Sequence, residues 1–111
     1  MTENLADKKC VPCRGGTPPL KGIELEKLHA DVPKWTVTNE HHIQREFRFP
    51  DFKQALQFVN RVGEIAEAEG HHPDVLLAWG KVGITLWTHT IDGLTESDLI
   101  MAAKIDRLSG V

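Results

Sequence analysis

The sequence has no apolar run approaching the roughly 20 residues needed to span a bilayer. Its N-terminus, "MTENLADKKC", lacks the apolar stretch of a secretory signal. Together these absences lead to the expectation of a soluble, cytoplasmic protein. Clustered positive charge is missing too: the net charge is −3 and acidic and basic residues are intermixed. That argues against a nucleic-acid surface and against an anionic membrane surface, both of which favour a basic patch. Cysteine is scarce. Cys10 and Cys13 stand in "CVPCRGGTPPL", with no second C-x-x-C to complete a metal site. The redox version of the motif normally adjoins a βαβ unit, whereas this one lies in a Gly/Pro-rich tail. The plain reading is a flexible arm with two reduced thiols. A metal clip completed by histidines or by another subunit, and redox chemistry, are the alternatives. Finally, there is no H-x-H or H-x-x-x-H pair, the spacings that aim two imidazoles from one regular element at one point. The usual signature of a three-histidine catalytic zinc is therefore missing, although a turn can still bring adjacent histidines together.

What is present describes one domain. The chain of 111 residues suffices for a single modest core. Hydrophobic residues at 41% and charged residues at 26% are ordinary for a globular protein. Residues 1–19 are charged, then Gly-Gly, then Pro-Pro, and read as a mobile arm. The folded domain is expected over 20–111. Residues 20–32 place Ile23, Leu25 and Leu28 in a short helical pattern that Pro33 ends. Residues 34–38 and 42–49 read as two strands around an Asn39-Glu40 turn. In the second, Ile43, Arg45, Phe47 and Phe49 share one face, and Gln44, Glu46 and Arg48 the other.

Residues 51–70 form the clearest helix. Apolar residues recur at 52, 55, 56, 59, 62 and 66, with Asp51 as N-cap and Gly70 as the stop. A second hairpin is expected over 75–79 and 82–89 around Gly80-Lys81, with Val82, Ile84 and Leu86 on one face. Residues 95–110 open with Thr95 and Asp98 in a capping-box spacing. Apolar residues spread around much of this last helix, which predicts that it buries one face on its own sheet and another on a partner subunit. The order α-β-β-α-β-β-α implies an α+β fold: a four-stranded antiparallel sheet with three helices packed on one face.

The stretch "EAEGHHP" (67–73) carries the chemistry. His71 and His72 leave a helix C-terminus, Pro73 fixes the exit direction, and His89 leaves a strand that follows shortly after. Segments 71–73 and 87–90 are expected to meet at one edge of the sheet, with Trp79, Trp87 and Thr88 lining the gap. Each residue also has a plain structural role. His71 can complement the helix dipole, His72 and His89 can be surface residues, Glu67 a solvated helix position, and Asp98 only a cap. His29, His41 and His42 have no such context and read as surface residues. Histidine titrates near pH 6.5, so acid and base forms coexist at neutral pH. Two or three such groups around one substrate can protonate a leaving oxygen and remove a proton elsewhere, which is what eliminating water requires.

The residues resemble a known family, the pterin-4a-carbinolamine dehydratases, also known as the dimerisation cofactor of a homeodomain transcription factor. The family pattern is an acidic residue, three residues, His-His-Pro, an aromatic a few residues on, a histidine after nine more, and an Asp in the last helix. Here it reads Glu67, "AEG", His71-His72-Pro73, Trp79, His89 and Asp98. The phrases "KVGITLWTH" and "GLTESDLIMAAKID" are similar as well, the resemblance runs over about residues 20–108, and "CVPCRGG" looks like the extension of bacterial members. The resemblance implies a hydro-lyase that removes water from a 4a-hydroxytetrahydropterin, recycling the pterin cofactor of aromatic amino-acid hydroxylases. It implies His71 and His89 as the acid/base pair, and His72 as a residue that holds the pterin and assists. Gly70, Pro73, Trp87, Thr88 and Thr90 would complete the substrate contacts, with Glu67, Trp79 and Asp98 in support. It further implies no metal, no organic cofactor, and a homodimer or homotetramer. The alternatives are a non-catalytic interaction or dimerisation module, and a pterin dehydratase serving molybdenum-cofactor metabolism.

Overall fold

The computed structural model describes residues 5–10 and 18–109. Its elements run α1 (Gly22–His29), β1 (Thr36–Thr38), β2 (His42–Arg48), α2 (Phe52–Glu69), β3 (Asp74–Ala78), β4 (Lys81–Leu86) and α3 (Glu96–Ser109), preceded by a 3₁₀ turn at Leu5–Asp7. The strands form one antiparallel sheet in the order β1-β2-β4-β3. The fold is α+β, with the helix and strand order read from the sequence.

Alternation dictates which sheet face is covered. Ile43 and Phe47 of β2 and Val82, Ile84 and Leu86 of β4 are buried. Their strand neighbours Gln44, Glu46 and Arg48 face outward. Removing each large apolar side chain from water contributes about 1.5–3 kcal/mol, so the buried face sets the register. Pairing Ile43 with Leu86, and Asp74 with Thr85, brings the C-terminal end of β4 beside the start of β3.

Helix α2 begins and ends where its caps place it. The Asp51 carboxylate accepts the Gln54 N–H at 2.8 Å, and Gly70 takes the left-handed conformation at φ 65°. The N–H of His71 then folds back to the Ala66 carbonyl at 3.2 Å. His71 is thereby tied to the helix end and does not hang in a free loop. The buried stripe of α2 is Ala55, Phe58, Val62 and Ala66. Phe52 and Leu56, expected in that stripe, lie on its flank and are exposed.

Helix α3 is buried on more than one side. Ser97 through Ala102 and Ile105 are buried, as its all-round apolar pattern requires. Part of that cover comes from the N-terminal segment of this chain. Of the segment read as a mobile arm, residues 5–10 pack along α3. Leu5 is buried, Asp7 pairs with Arg107, Lys8 pairs with Glu96, and Lys104 donates to the Ala6 carbonyl. A leucine beside charges that complement α3 gives this short segment enough to dock. Cys13 lies outside the described residues, so the C-x-x-C reading is met here only at Cys10.

Candidate functional site

Two tight turns build the site. The first is the helix exit, Gly70-His71-His72-Pro73. The second follows β4, where the backbones of Thr88 and Gly93 bond each other in both directions at 2.8 and 3.4 Å. Asp92 closes that turn with φ 55°, a left-handed geometry that Asp tolerates better than most residues. Gly93 is required for a different reason: a Cβ there would meet the Pro19 Cβ at 2.8 Å. Between the turns lies a cleft of about 380 Å³ lined by residues 70–74 and 87–90. Gly70, His71, His72, Pro73, Trp87, Thr88, His89 and Thr90, all expected at the site, border it.

Asp98 anchors the floor of this cleft. It is wholly buried, yet fully partnered. Its Oδ1 accepts from His71 Nε2 at 2.6 Å. Its Oδ2 accepts from the Thr88 hydroxyl at 2.9 Å and from the Thr95 N–H at 2.9 Å. The bond to the Thr95 N–H is the reach-back half of the capping box. The Thr95 hydroxyl turns instead to Thr88, at 2.9 Å. One carboxylate thus caps α3 and fixes the ring of His71. With Nε2 engaged, Nδ1 is the His71 nitrogen left for a ligand.

Like His89, His72 is exposed. Its Nε2 bonds the carboxylate of Glu67, one turn back on α2. His89 stacks on Trp87, ring centroids 3.9 Å apart and planes at 21°. Among the described residues its ring nitrogens have no hydrogen-bond partner, which leaves both open to a substrate. The three imidazoles therefore differ: one locked to a buried carboxylate, one held at the surface, one free on an aromatic platform. Among the described residues no group of three His, Cys, Asp or Glu side chains is arranged to hold a metal ion.

Trp79 does not join them. It follows β3 at the far end of the hairpin and is 73% exposed. All three histidines set aside as surface residues have partners, His42 through its Nδ1 at 3.0 Å from His41 Nδ1. His29 Nε2 donates to the Trp35 carbonyl at 2.6 Å. His41 packs against Trp87 with ring centroids 4.6 Å apart and reaches Asp92 Oδ1 at 2.9 Å. The hairpin register carries the signal for His41: continuing the Ile43–Leu86 pairing by two residues sets it beside the segment after β4.

The family model described as pterin 4 alpha carbinolamine dehydratase matches residues 18–108. This chain is a pterin carbinolamine dehydratase family member. A relative from Rubrobacter xylanophilus is 62% identical over 104 residues, covering 94% of this chain and 97% of its own. One from Alkaliphilus metalliredigens is 56% identical over 105 residues, covering 94% and 95%. Both are provisionally named pterin-4-alpha-carbinolamine dehydratases. Among solved structures, a transcriptional coactivator/pterin dehydratase from Brucella melitensis superposes with a TM-score of 0.78 at 32% identity, covering 83% of this chain and 99% of that one. A pterin dehydratase-like protein identified as a RuBisCO assembly factor in the alpha-carboxysome gives 0.60 at 25% identity, covering 69% and 90%. In this dehydratase family member the last helix supplies Asp98, and the helix exit and strand end supply the histidines.

Proposed function

We propose that this protein removes water from a 4a-hydroxytetrahydropterin to give the quinonoid dihydropterin, with His71 and His89 as the acid/base pair. The observation that carries this reading is the convergence of His71, His72 and His89 on one cleft. In the reaction one imidazolium gives its proton to the leaving C4a oxygen while a neutral imidazole takes the N5 proton. The C4a–O bond breaks, the N5 electrons form the new double bond, and water leaves. His71 Nδ1 and the His89 nitrogens are the groups free to do this, since His71 Nε2 is engaged by Asp98. Positioned acid/base groups contribute about 10²–10⁴-fold each. Neither step calls for a metal or an organic cofactor. His72, held by Glu67 at the cleft rim, binds the pterin and assists. The physiological setting that fits is pterin recycling for aromatic amino-acid hydroxylases in the cytoplasm. No helix among the described residues is long and apolar enough to cross a membrane.

The test is dehydration of a freshly generated 4a-hydroxytetrahydropterin, followed against the uncatalysed rate. Acceleration that vanishes in the His71→Ala, His89→Ala double variant supports the reading. A rate equal to the uncatalysed one overturns it.

A second reading, a protein-interaction module, draws on the exposed apolar side chains Phe52, Leu56, Val75, Leu76 and Trp79. Val75 and Leu76 belong to β3, an edge strand of the sheet, and unpaired edges invite pairing. We assign this surface to self-assembly into a homodimer or homotetramer, which is compatible with the enzymatic reading.

A further inference from the structure

Three aromatic rings run in contact from the β1–β2 turn to the cleft. His41 lies against Trp87, with centroids 4.6 Å apart, and Trp87 lies against His89 at 3.9 Å. His41 precedes β2, while Trp87 and His89 belong to the segment after β4. The free imidazole of the cleft thus owes its platform to a residue from a different hairpin turn.

The ring of His41 is itself held at both nitrogens. Nε2 faces the Asp92 carboxylate at 2.9 Å, and Nδ1 faces His42 Nδ1 at 3.0 Å. A carboxylate only accepts, so Nε2 carries a proton. When His41 is neutral its Nδ1 is then a lone pair, and His42 must donate through its own Nδ1–H. When His41 is charged it donates at both ends. In either state both contacts survive and the ring keeps its orientation. Asp92 closes the turn that presents His89, and its N–H bonds the His89 carbonyl at 3.2 Å. His41 therefore grips the His89 segment twice, through the Trp87 ring and through Asp92.

The two grips are unequal. Asp92 is 83% exposed, and exposed ion pairs contribute little after solvent and salt screening. The ring contact, on a half-buried indole, is the stronger hold.

We propose that His41 is a positioning residue: by packing on Trp87 it fixes the indole against His89 and so sets the place of the His89 imidazole in the cleft. The kinetic arm of its test rests on the dehydratase reading. The spectroscopic arm does not.

The experiment compares wild type with His41→Ala, His41→Phe and Asp92→Asn. Nuclear magnetic resonance follows the His89 ring protons, which the ring current of the stacked Trp87 displaces; steady-state dehydration kinetics run in parallel. The expected result is that His41→Ala moves these resonances toward those of an unstacked histidine and lowers kcat by about tenfold, the scale of a sub-ångström misplacement, with KM changed by less than about twofold. His41→Phe, which restores a ring but not the Asp92 bond, returns both readouts most of the way. Asp92→Asn leaves both near wild type. His89 resonances unmoved in His41→Ala, or His41→Phe as impaired as His41→Ala, overturn the proposal. If the wild-type protein dehydrates no pterin, the function assigned above falls, and the resonances alone decide the role of His41.

Discussion

The carboxylate of Asp98 meets the ring of His71 at 2.6 Å with no solvent on the carboxylate side. The same carboxylate closes the first turn of α3. Helix capping and histidine orientation are therefore one interaction, and substitutions at its two ends should separate them.

Asp98→Ala should destabilise the fold. It strands the Thr95 N–H, the Thr88 hydroxyl and the His71 N–H in or beside the core, and each buried unsatisfied group costs about 1–3 kcal/mol. A thermal melt should fall by about 5 °C or more. His71→Ala opens onto the cleft, where water can reach the vacated Oδ1, so its melt should fall much less. Equal melting losses in the two variants would contradict this division.

Kinetics should separate the histidines. His71→Ala and His89→Ala should each lower kcat by about 10²-fold or more. The double variant should cost less than the product of the singles, because groups acting as a unit are not additive. His72→Ala should raise KM at least as much as it lowers kcat, given its exposed position on Glu67. Unchanged turnover in both His71→Ala and His89→Ala, with melts intact, would make the cleft histidines structural.

Much of this was legible beforehand. Asp51 and Gly70 bracket α2 because capping and left-handed termination are local effects. Ile43, Phe47, Val82, Ile84 and Leu86 pointed inward because strand alternation has a strict period. The cleft border followed from placing a helix exit beside a strand end. Other features depend on relations that one segment does not encode. Trp79 matched a motif position yet lies at the far end of its hairpin. His41 gains a partner only through strand register. The outer face of α3 is covered by Leu5, some hundred residues away in sequence, and no periodicity within α3 reveals that.

Chelation is expected to leave activity intact, since the proposed proton transfers need only imidazoles. Protein dialysed against a strong chelator should turn over at the untreated rate. Loss of activity restored by added zinc would overturn the acid/base assignment.

Cys10 should behave as an unreactive thiol. Burial, then the negative charge of Glu69, pushes it up to about 12, and its N–H bonds the Glu69 carboxylate at 2.8 Å. The raised value favours the neutral thiol in the folded state. This contribution to stability is complete below the unfolded thiol range near 8.5 and is lost as pH rises toward 12. Alkylation by iodoacetamide at pH 8 should be far slower at Cys10 than in the denatured chain. Equal rates, read by peptide mass spectrometry, would refute the burial.

Self-assembly should depend on the β3 edge. Light scattering at micromolar concentration should give a dimer or tetramer, and Leu76→Lys, at an exposed position that needs no repacking, should shift it toward monomer. A wild-type monomer, or an unchanged Leu76→Lys oligomer, would remove β3 from the interface.

The family match begins at residue 18, but the packing does not. Leu5 sits in the core cluster, and Ala6, Asp7, Lys8 and Cys10 each bond to α2 or α3. A chain trimmed to the family boundary would bare one side of α3 and deprive Glu69 of the Cys10 N–H, one residue before the turn that carries His71 and His72. Where the family model starts and where the packing starts are different places in this protein, and the distance between them is borne by the helix that holds Asp98.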